Sequence, residues 1–203
     1  MLIDLQKVYN KFALTYDKNR GLFNMTEIIN DFYSHLFYKK GKLLDLGCGA
    51  GEPFPKFFID NGWEVTGVDF SENMLEMAEK YVPEMKTIHD DITKVDFKNN
   101  EFNAITMIYS FFHLKNEEQI SLLSKIYKWL TDGGSILFTY ATREYTGTDE
   151  FEGYKEFLGE NLFYAHKTPE FLKEKLNTIG FKNILFTYRN IGGETFLWVT
   201  ADK

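Results

Sequence analysis

A single cysteine, Cys48, stands in the 203 residues, which excludes an internal disulfide framework and any cysteine-rich zinc site. Arginine is nearly as scarce, with only Arg20, Arg143 and Arg189, so bidentate phosphate clamps have few candidates. Basic side chains are the minority altogether: Lys+Arg is 23 against Asp+Glu 30, a net charge of -7. Nucleic-acid binders need the opposite excess, because Lys and Arg make the phosphate contacts. No nucleic-acid partner is expected. No apolar run is long enough to span a bilayer, and no membrane partner is expected either. No two of the four histidines stand at metal-ligand spacing, so no metal is expected. The opening MLIDLQKVYNKF alternates charged and apolar residues, unlike a secretory leader. These absences predict a soluble cytoplasmic chain. What is plentiful is apolar and aromatic surface, at 44% and 17% of residues. That suffices for one buried core, excludes intrinsic disorder and predicts a single domain.

From Gly41 onward, short apolar runs alternate with amphipathic stretches, as in β/α units around a mostly parallel sheet. Strands are predicted at Lys42 to Leu46, Trp63 to Val68, Met85 to His89, Ala104 to Ile108 and Ser135 to Tyr140. Helices are predicted at Pro53 to Asn61, from the N-cap Ser71 through Ala78, and at Glu117 to Leu130. Two helices precede the first strand, around Val8 to Tyr16 and from Met25 to Leu36. Arg143 to His166 is aromatic-rich and weakly periodic, and is expected to be a lid or pocket-lining insert. Thr168 and Pro169 open a last helix, ended by Gly180. Phe181 to Arg189 and Thr195 to Ala201 then join through Gly192 and Gly193 as a hairpin. The expected architecture is an α/β three-layer sandwich with a mostly parallel seven-stranded sheet ending in an antiparallel hairpin strand. Residues 1–40 would form a helical cover, 41–140 the binding core, 141–167 the insert and 168–203 the closing helix and hairpin.

The strongest local signal is Asp45-Leu46-Gly47-Cys48-Gly49-Ala50-Gly51, between a strand and a helix. Glycines there let the backbone approach a ligand closely. A dinucleotide site would carry G-x-G-x-x-G facing a pyrophosphate. Here the spacing is G-x-G-x-G, preceded by a carboxylate that would repel a pyrophosphate and suit an ammonium group. The second strand ends at Asp69, from which a carboxylate can accept hydrogen bonds from both ribose hydroxyls. These features ask for a nucleoside without phosphates that carries an amino acid tail. S-adenosylmethionine has that chemistry.

With these residues the chain resembles the class I S-adenosylmethionine-dependent methyltransferases, small-molecule type, over almost its whole length. Leu43 to Gly51 is similar to their first motif, and Val65 to Ser71 with Met74 and Leu75 to their second. Asp90-Asp91-Ile92 with Phe97 resembles the adenine-contact segment, and Leu130 to Gly134 the turn before the fifth strand. Glu101 to Ile105 is similar to the start of the fourth strand, with Asn103 where Asp is common. The resemblance implies that Asp45, Gly47, Cys48 and Gly49 hold the methionine end and that Gly51 allows close helix packing. It implies Asp69 on the ribose, Phe70 and Met74 against adenine, Asp91 and the Ile92 backbone on the ring edge, and Ile108 or Tyr109 beside the sulfonium. Tyr9 and Tyr16 resemble a tyrosine-rich entrance helix, with Tyr16 closing over the cofactor. The product would be S-adenosylhomocysteine.

For the acceptor, His113 and His166 are the expected bases, on the premise of a near-neutral pKa. Tyr9, Arg20, Tyr164 and Glu194 are the expected substrate residues. A nucleic-acid or protein acceptor is the alternative, but Tyr109-Ser110-Phe111-Phe112 lacks the Asn/Asp-Pro-Pro-aromatic element of base methylation. A binding module that only senses the cofactor is the other alternative. Monomer or homodimer is the expected state.

Overall fold

A computed structural model describes residues 2–15, 18 and 24–203, with the backbone alone for residues 2–4. Seven strands form one sheet: β1 (Lys42–Leu46), β2 (Glu64–Asp69), β3 (Lys86–His89), β4 (Phe102–Met107), β5 (Leu130–Tyr140), β8 (Lys182–Ile191) and β9 (Glu194–Asp202). Their order is β3-β2-β1-β4-β5-β9-β8, parallel through β5, with β9 antiparallel to both β5 and β8. This is the expected three-layer fold. The helices are α1 (Leu2–Ala13), α2 (Thr26–His35), α3 (Phe54–Asp60), α4 (Glu72–Tyr81), α5 (Asn116–Trp129), α6 (Arg143–Thr146) and α7 (Pro169–Ile179).

Strand alternation sends successive side chains to opposite faces, and each face carries its own core. Leu43, Ala104 and Leu137 pack with α2, α3 and α4 through Phe32, Phe58 and Leu75. Leu44, Ile105 and Ile136 pack on the other face with α5 and α7, through Leu123, Ile126, Leu172 and Leu176. Helix starts follow the capping rules: Ser71 accepts from the Met74 amide (3.2 Å), and Thr168 from the Phe171 amide (3.3 Å) ahead of Pro169.

Three boundaries differ from the sequence reading. The first helix begins at Leu2 and ends at Ala13 instead of covering Val8 to Tyr16. The fifth strand starts at Leu130, because the Gly133 turn (φ +74°) is absorbed as an irregularity opposite Phe102 and Ala104. The insert is not irregular. It holds α6 and a two-stranded hairpin, β6 (Phe151–Phe157) with β7 (Glu160–His166), turned by Leu158 and Gly159 at φ +51° and +79°. Two left-handed residues in a two-residue loop match the twist of a hairpin.

The strand order reverses between β1 and β4, and ligands of such sheets bind beyond the carboxyl ends of the strands at that point. Helix α1 lies over this edge. Gln6 donates to the Phe70 carbonyl (2.7 Å), Ser71 Oγ to Asn10 Oδ1 (2.6 Å), and Lys11 pairs with Glu160 at the hairpin tip.

Candidate active site

A cavity of about 350 Å³ opens at this edge. Its wall includes the glycine turn, the ends of β1, β2 and β4, the Asp91-Ile92 segment, and Leu5 and Tyr9 of α1. The wall holds eleven of the thirteen expected cofactor residues: Asp45, Gly47, Cys48, Gly49, Asp69, Phe70, Met74, Asp91, Ile92, Ile108 and Tyr109. Gly51 sits behind the turn, where a Cβ would strike Val82. Tyr16 and Arg20 lie outside the described residues.

Three buried carboxyls face the cavity, each held differently. Asp45 is 4% exposed and accepts the Thr106 hydroxyl at 2.6 Å. Burial pushes it up to about 7, with the neighbouring Asp69 charge adding to the rise. Asp69 accepts the Gly49 amide on Oδ2 and the Ser71 amide on Oδ1, both at 2.8 Å. Each oxygen keeps lone-pair capacity for another donor, although burial still raises its pKa. Asp91 accepts the Thr93 amide (2.9 Å) and hydroxyl (2.8 Å) on Oδ1, whereas its buried Oδ2 has no hydrogen-bond partner, the exposed Lys94 ammonium pairing with it at 3.7 Å. A buried acceptor without a donor costs free energy, so this atom asks for a ligand donor. Asp90 is exposed and accepts the Asp91 amide at 2.7 Å, and does not line the cavity.

The raised Asp45 gives a pH prediction. A cationic ligand group beside it favours the ionised carboxyl, so binding below pH 7 must release a proton. Affinity for S-adenosylmethionine is expected to fall up to about tenfold per unit as pH drops below 7, and to be flat above 8. Calorimetry in buffers of different ionisation enthalpy measures the released proton; pH-independent binding between 5.5 and 8 would contradict it. In the unliganded protein the sign is opposite. A carboxyl with a folded pKa above its unfolded value of about 3.9 makes the fold less stable as pH rises from about 4 to 7.

At the end of β4, Tyr109 adopts φ +57°, uncommon for a bulky residue, and its amide donates to Thr139 Oγ1 at 2.6 Å. Beyond it, His113 Nδ1 lies 2.6 Å from the Phe163 carbonyl, which can only accept, so Nδ1 carries the proton. Nε2 is left to accept the Tyr9 hydroxyl at 3.0 Å. Burial holds His113 down at about 4, which corrects the near-neutral value expected of it.

The structure does not bring His166 to the cavity. That ring is fully buried, with Nε2 2.7 Å from Thr146 Oγ1 and its plane stacked on Phe151, and it ties α6 to the hairpin. Burial lowers its pKa too. Tyr164 stands one layer behind the wall, between Phe112 (5.3 Å) and His113 (4.8 Å). Glu194 also lies outside the cavity wall. Sequence reading missed Leu5, Met25, Ala50, Glu52, Pro53, Phe54, Pro55, Ser110 and Leu114 in the wall. Of these, Pro53 at the N-cap and Pro55 in the first turn of α3 were the available signal, since they fix how the chain leaves the glycine turn.

Among the described residues no helix is long and apolar enough to cross a membrane, and no group of His, Cys, Asp or Glu side chains is placed to hold a metal ion. Residues 43–134 match the family described as a methyltransferase domain. The chain is 30% identical to a phosphoethanolamine N-methyltransferase of Plasmodium falciparum, over 88% of this chain and 67% of that protein. It is 25% identical to a demethylmenaquinone methyltransferase of Lysinibacillus sphaericus, over 94% and 87%. Its fold is similar to a 1,6-didemethyltoxoflavin-N1-methyltransferase of Burkholderia thailandensis solved with 1,6-didemethyltoxoflavin and S-adenosylhomocysteine. That likeness has a TM-score of 0.70 at 17% identity and covers 97% of this chain and 87% of the other. The chain belongs to the S-adenosylmethionine-dependent methyltransferases.

Proposed function

We propose that the protein moves a methyl group from S-adenosylmethionine to a small-molecule acceptor that meets it beside Tyr9 and His113. The observation that carries this is one cavity wall running from three buried carboxyls to the Tyr9–His113 hydrogen bond. The residues fit the cofactor: an acceptor atom without a donor at Asp91 for an amino group, spare lone pairs at Asp69 for ribose hydroxyls, and a buried carboxyl at Asp45 for an ammonium. Gly49 adds a cradle in which a Cβ would meet nothing within 4 Å. Phe70, Met74 and Ile92 supply apolar surface for a purine. When bound, the cofactor supplies an electrophilic methyl on a sulfonium. Tyr9 and His113 orient the acceptor, and exclusion of water by α1 favours a collinear approach. A small acceptor also accords with the acidic charge and with the small molecules named for the phosphoethanolamine and demethylmenaquinone relatives. We take the active unit to be a cytoplasmic monomer or homodimer without a nucleic-acid partner, in keeping with the net charge of -7.

Incubation of the protein with labelled S-adenosylmethionine and a metabolite library tests the reading. Labelled small products are expected; efficient labelling of RNA or protein instead would overturn it. Given a turned-over acceptor, Tyr9→Phe and His113→Ala should each keep S-adenosylhomocysteine affinity within about threefold while turnover falls about 10²-fold, as lost positioning costs. Full turnover in both would reduce the pair to lining.

A further inference from the structure

The acceptor side of the wall continues into an aromatic cluster with one carboxylate. On β9 the residues Glu194, Phe196 and Trp198 share a face, because strand neighbours two apart point the same way. Phe196 meets Tyr109 (5.4 Å between ring centroids), Phe112 (4.9 Å) and Tyr145 (4.4 Å), and Trp198 meets Tyr109 at 5.9 Å. That face therefore leads straight to the Tyr109 wall of the cavity, and Glu194 is its first residue.

Glu194 is half-buried, and burial raises its pKa while Tyr145 and Lys155 act the other way; the Tyr145 hydroxyl in turn donates to the Tyr164 hydroxyl at 3.0 Å. Behind burial, the Glu194 charge is a lesser cause of the raised pKa of Tyr9, Tyr109, Tyr145 and Tyr164. Lys155 is the cation nearby, and its charge acts on Glu194; its ammonium donates to the Tyr145 carbonyl (2.9 Å), lies over the Tyr145 ring (4.3 Å), and makes no ion pair within 4.0 Å among the described residues. Within the cavity proper the wall carries the carboxyls of Asp45, Glu52, Asp69 and Asp91, and no Lys or Arg among the described residues.

A half-buried carboxylate set among tyrosine and phenylalanine rings is the combination that binds an organic ammonium, by charge and by ring quadrupole together. An anion would meet the repulsion of the Glu194 carboxylate there, offset among the described residues by Lys155 alone. We infer that Glu194 selects a cationic, amine-bearing acceptor, held with its positive group against the Glu194 carboxylate and the surrounding rings. This assignment rests on the methyl-transfer reading above and adds the charge of the acceptor to it. Glu194 acts in recognition, and the reacting atoms lie at the Tyr9–His113 end.

Three probes of one shape and different charge test it: 2-phenylethylamine, 2-phenylethanol and phenylacetate, titrated into protein saturated with S-adenosylhomocysteine. The ammonium is expected to bind at least about tenfold more tightly than the alcohol, and the carboxylate not measurably, as a charge-assisted contact requires. Glu194→Gln should abolish the preference for the amine over the alcohol and keep the affinity for S-adenosylhomocysteine, which also shows that the variant folds. Equal binding of amine and alcohol, no binding of the amine, or a preference that survives Glu194→Gln overturns the assignment while methyl transfer stands. Failure of the wild-type protein to bind S-adenosylhomocysteine would overturn the methyl-transfer reading itself, and this assignment with it.

Discussion

Asp69→Ala is expected to weaken S-adenosylmethionine binding by about 10²- to 10⁴-fold, because two charge-assisted hydrogen bonds of roughly 1.5–3 kcal/mol each leave with the carboxylate. The substitution does more than remove ligand contacts. The same two oxygens accept the Gly49 and Ser71 amides, one in the glycine turn and one at the start of α4. Without the carboxylate both amides lose their partner, at about 1–3 kcal/mol each where water cannot replace it. Thermal unfolding of the unliganded variant should therefore show a lower midpoint as well. Asp69→Asn separates the two effects. Its amide oxygen can still accept one backbone N–H, whereas its NH₂ group faces the other as a second donor. Asn is expected to recover part of the stability and little of the affinity. Calorimetry and a melting curve on both variants check this; a wild-type dissociation constant in Asp69→Ala would remove the residue from the site.

The parts of the fold that the sequence discloses are those where burial leaves few choices. Leu43, Leu44 and Leu46 are all fully buried, so β1 shows as an apolar run broken only by Asp45, as strands covered on both faces do. The binding residues follow from it, since a turn after such a strand has to lie at the carboxyl edge. The hairpin β6–β7 was not legible for the opposite reason. Its inward positions on β6 are Phe151, Gly153, Lys155 and Phe157, and a glycine and a lysine at two of the four mask the period of two. Asp90 against Asp91 was a one-residue ambiguity that only the register of the turn resolves: Asp91 is 6% exposed in the wall, and Asp90 faces solvent.

The histidines show a different limit. His113 and His166 both follow segments that end at the ligand edge, yet position along the chain says nothing about depth. Tyr164 and His166 share a face of β7, but α6 closes over His166 through Thr146 while Tyr164 continues towards His113. The pKa of His113 was equally out of reach. It is set by how completely the surroundings exclude water, which lowers it, against the Phe163 carbonyl, 50 residues away, which raises it.

The largest structural effect is expected from Gly47→Ala. Gly47 has φ +83°, and an added Cβ would fall within 3.0 Å of the Ser110 Cβ. Two costs combine: a non-glycine residue in the left-handed region loses roughly 1–2 kcal/mol, and forcing a methyl into a filled space costs typically about 1–3 more. Ser110 cannot simply step aside. Its hydroxyl donates to the Leu46 carbonyl at 2.6 Å, and it follows Tyr109, already at φ +57° and tied by its amide to Thr139. The strain thus passes from the glycine turn into the residues at the end of β4, so cofactor binding and acceptor positioning should fail together. Gly47→Ala is expected to lose about 2–5 kcal/mol in denaturant unfolding and more than about a hundredfold in S-adenosylhomocysteine affinity. The double variant Gly47→Ala, Ser110→Gly removes the steric component and leaves the backbone strain. It should recover roughly the 1–3 kcal/mol assigned to crowding, less the lost Ser110 hydrogen bond at about 0.5–1.5 kcal/mol. No recovery in the double variant would mean that the backbone conformation, and not the approach of Ser110, is why glycine stands at this position.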